Sequence, residues 1–292
     1  MARLDSLSIE LQGQVGKDKC AEEYGKVIEN IQEISLADVL KNTDLSGDIT
    51  AGTVEAKRFS NVTGQTYGTA RANGAGNKLK AKPVTISIDD DVEYIEEVEE
   101  KDLMTYGVNG LIERRAKNHQ DTFAIDKDVK FFAEAVKEGT AFVPTQRANG
   151  NSIEDDVEEA IASLQATRNE YVNGVPRNLI AVIMTPKKYG ELRNKINAIP
   201  NSNGNGQLAN YEQGTFNNTA IFSSVFLPEG IDYIVMVYGQ NGAVAQPTRA
   251  NIYSPAKIPL SEATAFGLFT YKGTKVVASD LIKYVGNSTA SL

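Results

Sequence analysis

Between Thr53 and Ile88 the chain spells two extended arms joined by a turn, and no other stretch restricts its possible folds so much. Val54 to Ala70 is rich in Thr, Val, Tyr and Phe, interrupted by Gly64 and Gly68. Arg71-Ala72-Asn73-Gly74-Ala75-Gly76-Asn77 is a turn by composition. Leu79, Ala81, Val84, Ile86 and Ile88 then resume an extended pattern, alternating from Val84 onward, with Pro83 marking an edge or a bend. Arms of about 15 residues at ~3.3 Å per residue predict a hairpin roughly 50 Å long. Strands usually run to about 5–6 residues, and a lone two-stranded hairpin is marginal in water. The distal half carries few large apolar groups, so it is no local core. It makes sense resting on a neighbouring molecule.

Charge sharpens that expectation. From Glu55 to Lys82 the hairpin holds Lys57, Arg58, Arg71, Lys78, Lys80 and Lys82 against Glu55 alone, a balance of +5. The next stretch holds Asp89, Asp90, Asp91, Glu93, Glu96, Glu97, Glu99, Glu100 and Asp102 against Lys101, a balance of −8. Adjacent blocks of opposite sign can pair between subunits, which gives orientation more than affinity. The candidate interface is therefore Lys57, Arg58, Arg71, Lys78, Lys80 and Lys82 with Asp89, Asp90, Asp91, Glu96, Glu97, Glu99 and Glu100. Two separately solvated faces are the alternative.

Hydrophobic residues make up 41% of 292, enough for a packed core. Thirty basic against 38 acidic side chains leave a net −8, which speaks against gripping nucleic acid through many phosphates. Cys20 and His119 are the only residues of their kinds, too few for a disulfide scaffold or a usual zinc site. No apolar signal core follows Met1-Ala2-Arg3-Leu4-Asp5, and the longest apolar runs, 179–184 and 231–238, are strand-sized. The expectation is a chain made in the cytoplasm, staying soluble and away from membranes.

Residues 1 to about 45 are polar and weakly periodic, an arm that needs something to lie against, with Ser35-Leu36-Ala37-Asp38 opening a short helical turn. A long helix is predicted over Leu103–Lys137, with an apolar face at its start from Met104, Val108, Leu111 and Ile112 and one at its end from Phe123, Val129, Phe132, Ala133 and Val136. Its middle, Glu113 to Asp121, is polar nearly all round and reads as a bridge between packed regions. Gly139 ends it. The second half alternates α and β. Ser152 and Asp155 form a capping box for a helix burying Val157, Ile161, Leu164 and Tyr171, and Asn173-Gly174 with Pro176 stops it. Leu179–Met184 is a buried strand, and Thr185-Pro186 opens a helix to about Asn197. Strands follow at Ala220–Phe226 and Ile231–Tyr238, and Ala263–Tyr271 with Lys275–Val285 closes as a hairpin-like pair.

Little here carries chemistry. Asn42 to Ile49 copies part of a calcium loop, but the twelfth position is Thr53 where a bidentate Glu is needed. His119 has no nucleophile elbow beside it, and the glycines of 74–76 and 204–206 lack a dinucleotide fingerprint. The acids of 154–159 sit at a helix start, where the dipole favours them. No catalytic residue, cofactor or metal is assigned.

The order of polar arm, long two-stranded loop, acidic lead-in, long helix, α/β domain and returning strands resembles the major capsid proteins of tailed bacteriophages. The wording of Lys188-Tyr189-Gly190-Glu191-Leu192 and the Thr270–Val285 stretch are similar too. The resemblance implies an α+β, phage capsid-type fold. Its parts would be an N-terminal arm (1–50), an extended loop (51–90), a peripheral domain with spine helix (91–150), an axial domain (151–250) and return strands (251–292). It further implies hexamers and pentamers of one chain in an icosahedral shell around double-stranded DNA, without sequence-specific binding. A separate scaffolding protein, a portal and decoration proteins would be partners. The location would be the virion, after assembly in the host bacterial cytoplasm. Other readings are an encapsulin-type nanocompartment shell sharing the fold, a phage tail component, and an α/β enzyme working through carboxylates such as those of 154–159.

Overall fold

The computed structural model describes residues 35–49, 52–62, 64, 66–68, 80–99, 108–145, 152–198, 214–259, 261 and 263–286. The arm before Ser35, the turn Arg71–Asn77 and the predicted interface residues Arg71, Lys78 and Glu100 lie outside them. The described chain runs through α1 (Leu36–Leu40), β1 (Leu45–Asp48), β2 (Thr53–Phe59), β3 (Ala81–Ser87) and β4 (Asp90–Val98). Next come α2 (Val108–Glu138), β5 (Thr140–Ala141), α3 (Ile153–Gln165), β6 (Ile180–Met184) and α4 (Pro186–Ala198). It continues with β7 (Gly214–Phe216), β8 (Thr219–Ser223), β9 (Ile231–Val237) and β10 (Val244–Ala245). It closes with β11 (Thr248–Lys257), β12 (Thr264–Lys272), β13 (Lys275–Val276) and β14 (Ile282–Gly286).

These elements form two units. The first takes Ser87–Asp128 and Gln246–Gly273 with the described residues before Leu40. Its sheet is antiparallel, in the order β11-β12-β4. Gly267 is required there, because a Cβ would stand 2.1 Å from the Tyr94 carbonyl oxygen of the neighbouring strand.

The second unit takes Leu40–Ile86, Val129–Ala245 and the described residues from Thr274. Its six-stranded sheet runs β5-β14-β9-β6-β8-β7, with β6–β8 and β14–β5 parallel. All five residues of β6 are buried, as its unbroken apolar run demands. Val157, Ile161 and Leu164 of α3 have no exposed surface, but Tyr171 lies beyond the helix in a tight turn. The predicted capping box is modified: Ser152 Oγ donates to the Asp155 carboxylate at 3.2 Å instead of accepting a backbone N–H. β7 and β8 meet through Asn217 and Asn218, both left-handed (φ 48° and 66°), the conformation a two-residue hairpin turn needs. Gly139 follows the end of α2 where no side chain fits, since a Cβ would meet Ala135 O at 2.5 Å and Ile282 Cγ2 at 2.9 Å.

The long hairpin belongs to this unit as the sheet β1-β2-β3. Its strands β2 and β3 are seven residues each, about half the arm length that composition suggests. β2 ends at Phe59, and Gly68 beyond it takes a left-handed turn conformation at φ +92°. A small core of Ala56, Ile86, Ala245 and Val277, with Leu45 and Val84 packed on it, holds the base.

Two expectations are corrected. Ala263–Tyr271 and Lys275–Val285 do not pair with each other: β12 lies between β11 and β4, whereas β14 lies between β5 and β9. The strands after Asn251 thus enter both units. The stripe of α2 is also phased differently. His119, Gln120, Phe123, Ala124, Lys127, Asp128, Phe131, Phe132 and Ala135 are buried, while Val129 is 43% exposed. The burial repeat is that of an ordinary helix, but charged residues occupy part of it.

Candidate assembly surface

The acidic stretch becomes β4, and a strand sends alternate side chains to opposite faces. Its cross-strand partners on β12 identify the faces. Asp90, Val92, Tyr94 and Val98 stand opposite Lys272, Thr270, Leu268 and Thr264. Those four β12 residues have no exposed surface, so this face looks inward. Residues 91, 93, 95, 97 and 99 look outward, and all five are exposed.

On the inner face every described acid has a partner. The Glu96 carboxylate accepts from Arg115 through both oxygens, and His119 Nε2 lies 3.1 Å from Oε1. Burial alone would raise the Glu96 pKa, but the Arg115 and His119 contacts outweigh it and hold the carboxyl below its ordinary value. Lys272 Nζ, wholly buried, donates to Asp126 and lies 3.3 Å from Asp90 Oδ2, with the Phe123 ring 5.5 Å away. Tyr94 stacks obliquely near His119 and edge-on near Phe123. Burial, with Asp126 and Asp90 adding, pushes its hydroxyl up to about 12. Further along α2, Lys127 pairs with Asp38, and the Asp128 carboxylate accepts from Ser35 Oγ and the N–H groups of Leu36 and Ala37. Burial raises the Asp128 pKa despite those donors. The polar middle of α2 is therefore an internal ion-pair seam within the first unit, because its partners come from β4, β12 and the α1 segment.

This divides the predicted interface. Asp90 and Glu96 are engaged inside the chain. Arg58 is too: its guanidinium donates to both Asp280 oxygens at 2.7 and 3.0 Å and lies 4.8 Å from the centre of the Tyr171 ring. Asn169 Nδ2 adds a hydrogen bond to Asp280 at 2.6 Å. Burial raises the Asp280 pKa, but Arg58 and Asn169 more than reverse that and leave it low. Lys57, Lys80 and Lys82 on one side, and Asp89, Asp91, Glu97 and Glu99 on the other, are exposed and form no ion pair among the described residues. Lys272, which sequence reasoning missed, was detectable by parity: it follows Leu268 and Thr270 at two-residue steps on one face.

The other motifs serve the fold. Asn42 Nδ2 donates to Gly242 O at 2.8 Å and its Oδ1 accepts from Asp44 N–H at 2.7 Å, while Leu45–Asp48 is a strand instead of an ion-binding loop. His119 is 4% exposed and held by Glu96. Among the described residues no group of three or more His, Cys, Asp or Glu is placed to hold a metal, and no helix is long and apolar enough to cross a membrane.

No family model matches the sequence, and no curated protein does. Solved structures do. A chain of Mycobacterium phage Che8 superposes with a TM-score of 0.61 at 17% identity, covering 87% of this chain and 91% of that one. The capsid of the cyanophage P-SCSP1u gives 0.56 at 15% identity, over 86% of each chain. The virus-like particle of Pyrococcus furiosus gives 0.54 at 13% identity, over 91% of this chain and 98% of the other. The fold is thus the α+β, phage capsid-type fold that the order of elements suggested.

Proposed function

We propose that this chain is the major capsid protein of a tailed bacteriophage, the subunit whose copies build the icosahedral head around double-stranded DNA. The observation that carries the reading is likeness over most of its length, 86% of it for the cyanophage capsid. In this reading the β2–β3 hairpin is the extended loop and α2 the spine helix of the peripheral domain. The six-stranded sheet with α3 and α4 is the axial domain, which also takes in β14 from the closing segment. Hexamers and pentamers form by head-to-tail contacts that close into rings. A net charge of −8 suits a container that does not clutch its DNA. The role is structural and non-catalytic. A separate scaffolding protein, a portal and decoration proteins are the proposed partners, and the virion, assembled in the host cytoplasm, is the proposed location.

A second reading, a nanocompartment shell of the encapsulin type, is favoured by the likeness to the Pyrococcus particle. Negative-stain electron microscopy and sedimentation velocity on the purified chain, with and without a scaffold candidate, test both. Shells, tubes or five- and six-fold rings are expected. An enclosed enzyme in particles purified from the native source would select the second reading. A monomer or dimer at high concentration with scaffold present would overturn both.

A further inference from the structure

The chain passes between its two units at five places, after residues 39, 86, 128, 245 and 273. Four of them share a feature. On the first-unit side stand Asp38, Lys127 with Asp128, Gln246, and Lys272, none more than one residue from the end of its segment. Each of these polar side chains is at least nine-tenths buried. The remaining crossing, after residue 86, has only the exposed Ser87 beside it.

These groups bond to one another across the segments. Successive helix residues fan out by about 100°, so the single turn Asp126-Lys127-Asp128 of α2 reaches three other parts of the chain. Asp126 accepts from Lys272 at the end of β12, and Asp90 lies 3.3 Å from the same ammonium. Lys127 donates to Asp38 of α1, while its backbone carbonyl accepts from Gln246 Nε2 at 3.0 Å, just ahead of β11. Asp128 accepts from Ser35 Oγ at 2.7 Å and from the Ala37 N–H at 2.9 Å. The Phe123 ring, one turn earlier on α2, lies 5.9 Å from the Lys127 ammonium and 5.5 Å from that of Lys272. The chemistry is informative. Charges taken out of water lose hydration that their mutual attraction does not reliably restore, so a buried ionic cluster is a poor source of stability. What it supplies is direction: apolar contacts tolerate repacking, whereas charge-assisted hydrogen bonds fix which groups meet and how.

We propose that this cluster is a collar that binds four departing segments of the first unit into one body. The unit then keeps its shape, and adjustment of the chain falls on the residues just past the collar. A shell subunit that enters rings of both five and six needs such adjustment in every copy. The inference rests on the shell-subunit reading and adds where the chain yields and where it does not.

The test reads coupling between segments that are far apart in sequence. In the full chain, Lys272→Met takes the ammonium from Asp126, Gln246→Leu removes the bond to the Lys127 carbonyl, and Asp38→Asn removes the charge that Lys127 meets. Circular dichroism establishes that each variant is folded, and amide hydrogen exchange follows the segments separately. Lys272→Met is expected to speed exchange at Leu36 and Ala37 by about tenfold, and Asp38→Asn to do the same at residues 270–272, the scale of coupling within one hydrogen-bonded network. The double variant should fall short of the product of the two single effects. Acceleration confined to the substituted segment, with the two effects multiplying, would overturn the collar. Should Lys272→Met fail to fold, Gln246→Leu reads the same coupling from another segment. Electron microscopy of the folded variants should show shells of mixed or irregular size where the unchanged chain gives uniform ones. Uniform shells from variants whose segments exchange independently would overturn the collar's part in assembly. An unchanged chain that never assembles would remove the shell reading and leave the collar to the exchange measurement.

Discussion

Replacing Arg58 by Ala removes one guanidinium from two partners, and its effect can be worked out from their geometry. Two charge-assisted hydrogen bonds to Asp280, at 2.7 and 3.0 Å, disappear together with the contact on Tyr171 at 4.8 Å. The pair is partly buried, with 15% and 26% of the two side chains exposed. Hydrogen bonds to charged groups contribute ~1.5–3 kcal/mol and an exposed cation–π contact ~0.5–1 kcal/mol, and partial exposure reduces both, so the loss should be about 2–3 kcal/mol. At ~2–4 °C per kcal/mol that lowers Tm by about 5–10 °C. The pH dependence identifies the mechanism. Asp280 has a folded pKa below its unfolded value, so its contribution is fully present above the unfolded pKa of about 3.9 and fades as pH falls through the lower folded one. Scanning calorimetry of both proteins should give the full Tm gap near neutrality, the same gap at about pH 5 and a closing gap only near pH 3. Lys57→Ala, an exposed neighbour, serves as control and should change stability by less than ~0.5 kcal/mol. A gap that is absent at neutrality, or does not close on acidification, would refute the argument.

Other outcomes follow from the first unit. Gly267→Ala drives a Cβ to 2.1 Å from Tyr94 O, so β12 and β4 must separate. About 1–3 kcal/mol should be lost, seen as faster hydrogen exchange across 90–98 and 264–272. Glu96→Gln leaves Arg115 and the buried His119 without their carboxylate and should shift the urea midpoint by about 1–3 kcal/mol at neutral pH. Because the Glu96 pKa is lowered on folding, that penalty shrinks as pH falls below the ordinary carboxylate value. Asp128→Ala strands Ser35 Oγ and two backbone N–H groups, so exchange should accelerate in residues 35–40 first, by about 1–3 kcal/mol of local stability.

Periodicity made the regular elements legible. The apolar run of β6, Pro186 opening α4 and the stripe Val157, Ile161 and Leu164 of α3 are local signals, and each stands where it was read. Failures came where a partner lies far away in sequence. The predicted stripe of α2 passed over Lys127 and Asp128, which Asp38 and Ser35 engage from about ninety residues away. It took in Val129 instead, which is exposed. Lys272-Gly273-Thr274 likewise reads as a hairpin turn, but β12 finds β4, and only pairing across the chain decides this. In the candidate interface, charge was visible and parity was not used. Acids that looked equivalent in the run were split by the strand, Asp90 and Glu96 onto an inward, paired face and Asp91, Glu93 and Glu97 onto an outward one.

The position of β14 has a consequence for how the protein is made. The last described strand of the chain lies inside the six-stranded sheet, between β5 and β9, instead of on its rim. Until Ile282–Gly286 has left the ribosome, β9 keeps a row of unpaired backbone groups and β5 has no neighbour. The first unit waits similarly for β12, which pairs with a strand completed about 170 residues earlier. Neither sheet can close until its late strand is made, so each nascent chain passes through a period with open strand edges. Translation rate and chaperone supply, as much as the stability of the finished fold, then govern how many subunits reach a usable form.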